Sequence, residues 1–132
     1  MREVPHNLDA EHAVLGAMLL QREAISVAVE RLTGSAFYDP SNSRIFETIT
    51  SIFLEQSGAM PDITVIADRI RNEYSIDTAE TKRLLLQLQA VTPAAANIAH
   101  YVDIVVELAL KRQLIITGQQ ITEAAYGPET AD

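Results

Sequence analysis

The feature that most constrains the fold is a long stretch near the carboxyl end that contains almost no helix breaker. From Ala94 to Tyr126 there is no proline and a single glycine, Gly118. At 1.5 Å per residue, a helix of about 33 residues would be about 50 Å long, which exceeds the usual helix of a globular domain. We therefore predict a helix that projects beyond the rest of the chain. The alternative is a helix that breaks near Lys111 or Gly118 and folds back on itself.

The apolar face of this predicted helix changes direction along its length, at about 100° per residue. An inner stripe on its first half comprises Ile98, Tyr101, Val102, Val105 and Ala109. An outer stripe, more than about 90° away, comprises Leu110, Leu114, Gly118, Ile121 and Ala125. We expect the inner stripe to pack on the preceding helices. Only GPETAD follows, so we expect the outer stripe to meet another subunit or a missing helix.

An apolar seam without a partner in its own chain is typical of a surface that binds a second helix. The side chains predicted to make this contact are Ile104, Leu108, Leu110, Leu114, Ile115 and Ile121. Tyr101 and Val105 are instead expected to lie in the core.

The rest of the chain also has helical periodicity, with little strand signal. Asn7 or Asp9 is predicted to cap a first helix. The inner residues of that helix are predicted to be Leu8, Leu15, Met18 and Leu19. Further helices are expected over residues 23–32, from Pro40 to near Gly58, after Asp62, and from Asp77 or Thr78 to Thr92-Pro93.

The aromatic side chains of the loop TGSAFYDPSN, Phe37 and Tyr38, are expected to plug the core. The predicted fold is therefore all-α and forms one domain over residues 1–132. A compact helical head should span residues 7–93, and the long helix should span residues 94–126.

Composition excludes several classes of function. The net charge is −8 and the ten basic residues are dispersed, so the chain lacks the basic cluster that binds nucleic acid. No apolar run reaches the roughly 18–20 residues of a membrane span, and no secretory leader is apparent. The absence of cysteine excludes disulfides and thiolate metal sites, and favours an intracellular setting.

The titratable residues show no catalytic pattern. His6 and His12 are six apart, which does not place both rings on one helical face, so we expect a capped helix start rather than a metal site. His100 is expected at the surface. The acid pairs Asp9/Glu11 and Asp77/Glu80 are interpreted as solvated carboxylates at helix starts. With no phosphate-binding glycine motif either, we expect no active site, metal or cofactor in this chain.

Four stretches, in the same order and spacing, resemble the N-terminal domain of bacterial replicative DNA helicases of the DnaB type. They are VPHNLDAEHAVLGAML, AFYDPSNSRIFETI, DITVIADRI and VTPAAANIAHYVDIVVELALKRQLI. They are distributed along the chain between Val4 and Ile115, and we interpret the resemblance as extending over residues 2–126.

The resemblance implies a helical head followed by a helical hairpin, whose first arm would be the long helix. It implies that the domain forms dimers and that three dimers assemble into a collar on a hexameric ring. Primase would dock on this collar, and the collar would influence the contacts with the helicase loader. ATP, magnesium and DNA would bind a RecA-like domain that is absent from this sequence. The chain would then be a non-catalytic part of a bacterial cytoplasmic enzyme that unwinds duplex DNA during replication.

Two other classes of function remain open at this point, and a third, direct DNA binding, is disfavoured by the acidic charge balance. One is a free-standing all-α adaptor or regulatory domain, which would be favoured if the reading frame stops after Asp132. The other is a small all-α enzyme. A phosphate-binding loop encoded downstream would exclude the adaptor.

Overall fold

The computed structural model describes residues 3–91 and 97–128, which form helices and no strand. The helices are α1 (Leu8–Leu20), α2 (Arg22–Arg31), α3 (Pro40–Glu55), α4 (Ile63–Tyr74), α5 (Thr78–Val91) and α6 (Ile98–Tyr126). A short 3₁₀ turn, Gly34–Ala36, lies between α2 and α3. The all-α prediction is confirmed. The predicted stop at Thr92-Pro93 lies outside the described residues, as does the side chain of Val91.

Side-chain caps begin four of the helices. Asn7 Oδ1 accepts a hydrogen bond from the N–H of Ala10 at 3.0 Å, which assigns the cap of α1 to Asn7 rather than Asp9. Asp39 caps α3, and its carboxylate accepts a hydrogen bond from the N–H of Ser41 at 3.0 Å. Asp62 caps α4 by accepting from the N–H of Thr64 at 3.1 Å. Asp77 caps α5, and its carboxylate accepts a hydrogen bond from the N–H of Glu80 at 3.1 Å. Each cap satisfies an N–H group that has no partner within its own helix.

Helix α1 lies at the centre of the bundle and contacts α2, α3, α5 and α6. Its buried residues are Ala10, Glu11, Ala13, Val14, Leu15, Gly16, Ala17, Met18 and Leu19. The prediction of a single inner stripe was therefore too narrow, because a helix surrounded by neighbours is apolar on nearly every side. Leu8, which was predicted to belong to that stripe, is the first residue of α1 and is 37% exposed.

The two loop aromatics have different environments. Phe37 is buried, and its ring centroid lies 4.9 Å from that of Phe46. Tyr38 is 42% exposed, so the prediction that it plugs the core was wrong. Consecutive side chains in extended backbone point in opposite directions, which sends one ring inward and the next one outward.

Helix α6 has 29 residues, which corresponds to about 44 Å. It continues through Lys111 and Gly118 without interruption, so the alternative of a broken helix was wrong. Residues 94–96, where the helix was predicted to begin, lie outside the described residues. The head therefore carries a single long helix that extends from one side of it.

Candidate interaction surface

The first half of α6 is packed against α1 and α2. Ile98, Val102 and Val105 are all less than 9% exposed, and Tyr101 packs against the core from a half-buried position. The predicted inner stripe is thus the surface that attaches the helix to the head. An ion pair between Arg31 and Asp103 links α2 to α6, and its partial exposure limits its contribution to stability.

Arg112 marks the position where α6 leaves the head. Its guanidinium donates one hydrogen bond to the carbonyl of Pro5 at 2.8 Å and another to the carbonyl of Ala36 at 2.7 Å. It also lies 5.7 Å from the ring centroid of Tyr38, and that ring is stacked on His6 at 4.2 Å. These contacts join three separate segments of the chain and hold α6 in one direction relative to the head.

Beyond Arg112, every residue from 113 to 126 is exposed. We call residues 113–126, which are about 21 Å long, the arm. The outer stripe begins just before the arm and continues along it. Leu110, Leu114 and Ile121 are 60, 64 and 65% exposed, which is high for large aliphatic side chains. The described residues offer no surface that covers them.

The six candidate contact residues fall on two ridges of α6. Leu110, Leu114 and Ile121 belong to the outer stripe. Ile104, Leu108 and Ile115 lie roughly 100° further round the helix, at 3.6 residues per turn. Of this second group, Ile104 packs against the core, Leu108 is half-buried and Ile115 is 39% exposed. The structure therefore groups three of the six on one solvent-facing stripe, and their role in binding stays a prediction.

One glycine lies within the arm and another follows its last residue. At Gly118 a Cβ atom would meet nothing within 4 Å, so the stripe has a shallow notch between Leu114 and Ile121 where another helix backbone can come close. Gly127 ends the helix with φ +75°, a conformation that favours glycine, and its N–H donates to the carbonyls of Glu123 and Ala124.

Glu11 has a role that the sequence prediction missed. It was assigned to a solvated helix start, but it is 2% exposed. Its carboxylate accepts hydrogen bonds from the N–H of Tyr38 at 2.7 Å, the N–H of Asp39 at 3.4 Å and the amide of Asn42 at 2.9 Å. Its position four residues before the buried Leu15 was a signal of burial. Glu11 thus holds the start of α3 against α1.

The histidines take three different positions. His6 is stacked on Tyr38, His12 is half-buried in α1, and His100 is exposed beside the edge of Tyr101. Within residues 3–91 and 97–128, no three His, Asp or Glu side chains are grouped so that they could hold a metal ion. None of the helices described there is both long and apolar enough to span a membrane. The outer stripe is the strongest candidate surface, and what it can do is pack against another helix.

Comparison with known proteins gives a family match. The family model described as DnaB-like helicase N terminal domain matches residues 3–107, which is most of the chain. The match includes the head and the part of α6 that packs on it, and it stops before the arm.

Curated relatives extend the similarity along nearly the whole chain. The replicative DNA helicase DnaB of Treponema pallidum (strain Nichols) is 38% identical over 122 residues, which are 92% of this chain and 27% of the relative. The replicative DNA helicase DnaB of Leifsonia xyli subsp. xyli (strain CTCB07) is 34% identical over 128 residues, which are 97% of this chain and 28% of the relative. The chain therefore spans about a quarter of the length of these relatives.

A solved structure has the same fold. The crystal structure of the N-terminal domain of DnaB helicase from Mycobacterium tuberculosis superposes with a TM-score of 0.83 at 31% identity. The alignment covers 96% of this chain and 90% of that one. The similarity thus includes the arm as well as the head.

Proposed function

The chain belongs to the DnaB-like helicase N-terminal domain family, and on that premise we propose that it is the non-catalytic assembly domain of a replicative DNA helicase. Self-association through the outer stripe of α6 is the central part of this proposal. The observation that carries it is the exposure of Leu110, Leu114 and Ile121 along one side of a helix that has left the head.

The energetics of burial support association through this stripe. Removing apolar surface from water contributes about 25 cal/mol per Å², so three aliphatic side chains that are more than half exposed offer several kcal/mol on burial. The loss of translational and rotational freedom offsets part of that gain. A moderate interface between two copies follows, and repetition around a ring would strengthen it.

The remaining activities are proposed for the full-length protein. We propose that it unwinds duplex DNA with ATP and magnesium in the bacterial cytoplasm, and that those ligands bind outside this domain. We also propose that the domain docks primase and the helicase loader. Family membership supports these assignments, since the curated relatives are replicative DNA helicases.

Light scattering over a range of concentrations tests self-association. Wild type should exceed the mass of a monomer at high concentration, whereas Leu114→Glu should remain monomeric because a carboxylate in the seam must be desolvated. Leu54→Glu is the matched control, because Leu54 is 63% exposed on α3 and lies away from the arm. A strictly monomeric wild type, or equal dissociation by both variants, would refute association through this stripe.

Docking is tested separately by fluorescence anisotropy, with labelled primase from the same genome titrated with this chain. Saturable binding supports the docking assignment. Its absence at high micromolar concentration contradicts docking without affecting the assembly role.

A further inference from the structure

A second candidate surface lies on the head, away from the arm. Helices α3, α4 and α5 enclose a groove of about 360 Å³. Its apolar part is lined by Ile45 from α3, Ile70 from α4, Leu84 from α5 and Ile76 from the loop between α4 and α5. This volume is near the lower end of the range of about 300–1,000 Å³ found for ligand pockets. The groove therefore fits one or two side chains rather than the whole face of a helix.

The rim of the groove is positively charged, although the whole chain carries a net charge of −8. Arg44 and Arg83 lie on the rim together with a single carboxylate, that of Glu80, among the described lining residues. Arg83 contacts Glu80 at 3.4 Å, but both side chains are 68% exposed, so this pair is weak and easily exchanged.

Arg44 is held in place without a carboxylate partner. Its guanidinium lies 5.2 Å from the ring centroid of Tyr74, and it forms no ion pair within the described part of the chain. Stacking on an aromatic ring leaves the N–H groups at the edge of a guanidinium free to donate. Arg44 is thus a pre-oriented cation beside an apolar floor, which is the arrangement that binds a carboxylate next to an aliphatic group.

We propose that this groove binds an acidic segment of a partner protein, with one aliphatic side chain on the floor and the adjacent carboxylate on Arg44 and Arg83. The apolar floor favours a peptide over a nucleic-acid phosphate, which would leave the two half-buried floor residues, Ile76 and Leu84, in contact with water. This site lies outside α6, so it is independent of the proposed self-association.

N-acetyl-leucine is a minimal probe because it joins an isobutyl group to a carboxylate. We expect its titration into the ¹⁵N-labelled chain to shift the amide signals of Ile76 and Leu84 with saturation in the millimolar range. N-acetyl-leucine amide, which has no charge, should bind at least about fivefold more weakly, because it loses the charge-assisted hydrogen bonds. Equal shifts with both probes, or shifts with inorganic phosphate of the same size, would overturn the proposal.

Charge variants test the assignment of the two arginines. Arg44→Gln should weaken binding of N-acetyl-leucine about five- to tenfold, whereas Glu80→Gln should strengthen it by removing a competing carboxylate. Arg71→Gln removes an exposed arginine of α4 that does not line the groove, and it should leave binding unchanged. If Arg44→Gln does not fold, the other two variants test the site: Arg83→Gln should weaken binding of N-acetyl-leucine, and Glu80→Gln should strengthen it. Weakening by Arg71→Gln as large as that by Arg83→Gln, or no strengthening by Glu80→Gln, would refute the site.

Discussion

The carboxylate of Glu11 accepts a hydrogen bond from the side-chain amide of Asn42 at 2.9 Å, and both residues are 2% exposed. Two backbone N–H groups from the segment before α3 bind the same carboxylate. A buried charge is tolerated only when several donors satisfy it, and here three donors do so. Glu11 therefore joins α1 to the start of α3, close to the point where Arg112 attaches α6.

Replacing Glu11 with alanine should lower the free energy of unfolding by about 2–4 kcal/mol, because three donors lose their acceptor in the interior. Urea denaturation measures the loss. Asp9→Ala is the matched control, since Asp9 lies in the same first helical turn but is exposed, and it should cost less than about 1 kcal/mol. Equal losses in the two variants would contradict a structural role for the buried carboxylate.

Replacing Arg112 with methionine should loosen the attachment of α6 while keeping a long apolar stem. Two hydrogen bonds from a charged donor disappear, so we expect a loss of about 1–3 kcal/mol. The backbone amides in the second half of α6 should also exchange their hydrogens with solvent faster than in wild type. Lys111→Met is the control, because its contact with Glu107 at 3.9 Å is exposed. The role assigned to Arg112 is refuted if exchange along α6 is the same in both variants.

Replacing Gly118 with alanine should have opposite effects on folding and on association. In the monomer, a helix-interior glycine with open space around it costs about 0.5–1 kcal/mol relative to alanine, so the variant should unfold at a higher temperature. If another helix packs closely at this notch, the added methyl group should weaken association in light scattering. Gly127→Ala is the contrasting variant, expected to destabilise the end of α6 because of its positive φ. Unchanged association in Gly118→Ala would show that no close helix contact occurs there.

The pair formed by Glu55 and Arg69 should make stability depend on pH in the acid range. Arg69 donates to both carboxylate oxygens at 2.7 and 3.1 Å, and this bonding holds the pKa of Glu55 below its ordinary value. The folded state thus favours the ionised form. Its stabilisation is complete above the ordinary glutamate pKa and is lost as the pH falls through the lowered pKa of the folded state.

The melting temperature of Glu55→Gln should therefore depend less on pH in the acid range than the melting temperature of wild type does. The effect should be small and should decrease with added salt, because the pair is exposed. Glu30→Gln is the control, because Glu30 is exposed and has no ion pair among the described residues. Thermal melts from pH 3 to pH 7 provide the measurement, and parallel curves for wild type and Glu55→Gln would count against the pair.

The helices and much of the candidate surface could be predicted from local pattern. Asp39 with Pro40, and Asp62, act within two or three residues of the helix starts that they cap. The change of apolar face between Val105 and Leu110 follows from the helical period alone. The grouping of Leu110, Leu114 and Ile121 on one stripe, apart from the inner stripe, also follows from that period, and these side chains are exposed among the described residues.

Tertiary structure decided the environments that depend on distant residues. Glu11 is buried because its donors come from positions 27 to 31 residues away, and no rule about helix starts contains that information. Tyr38 lies at the surface, where its ring contacts Arg112 and His6, which are both distant from it along the chain.

By itself, the amino-acid sequence determined where helices form, how they are capped and which of their faces are apolar, because those effects act over one or two turns. Only the packed bundle decided which apolar faces are covered and where α6 leaves the head. The contact between Arg112 and Pro5 spans 107 residues of chain. Such contacts depend on the simultaneous fit of all the helices, so the direction of the arm is a property of the tertiary structure.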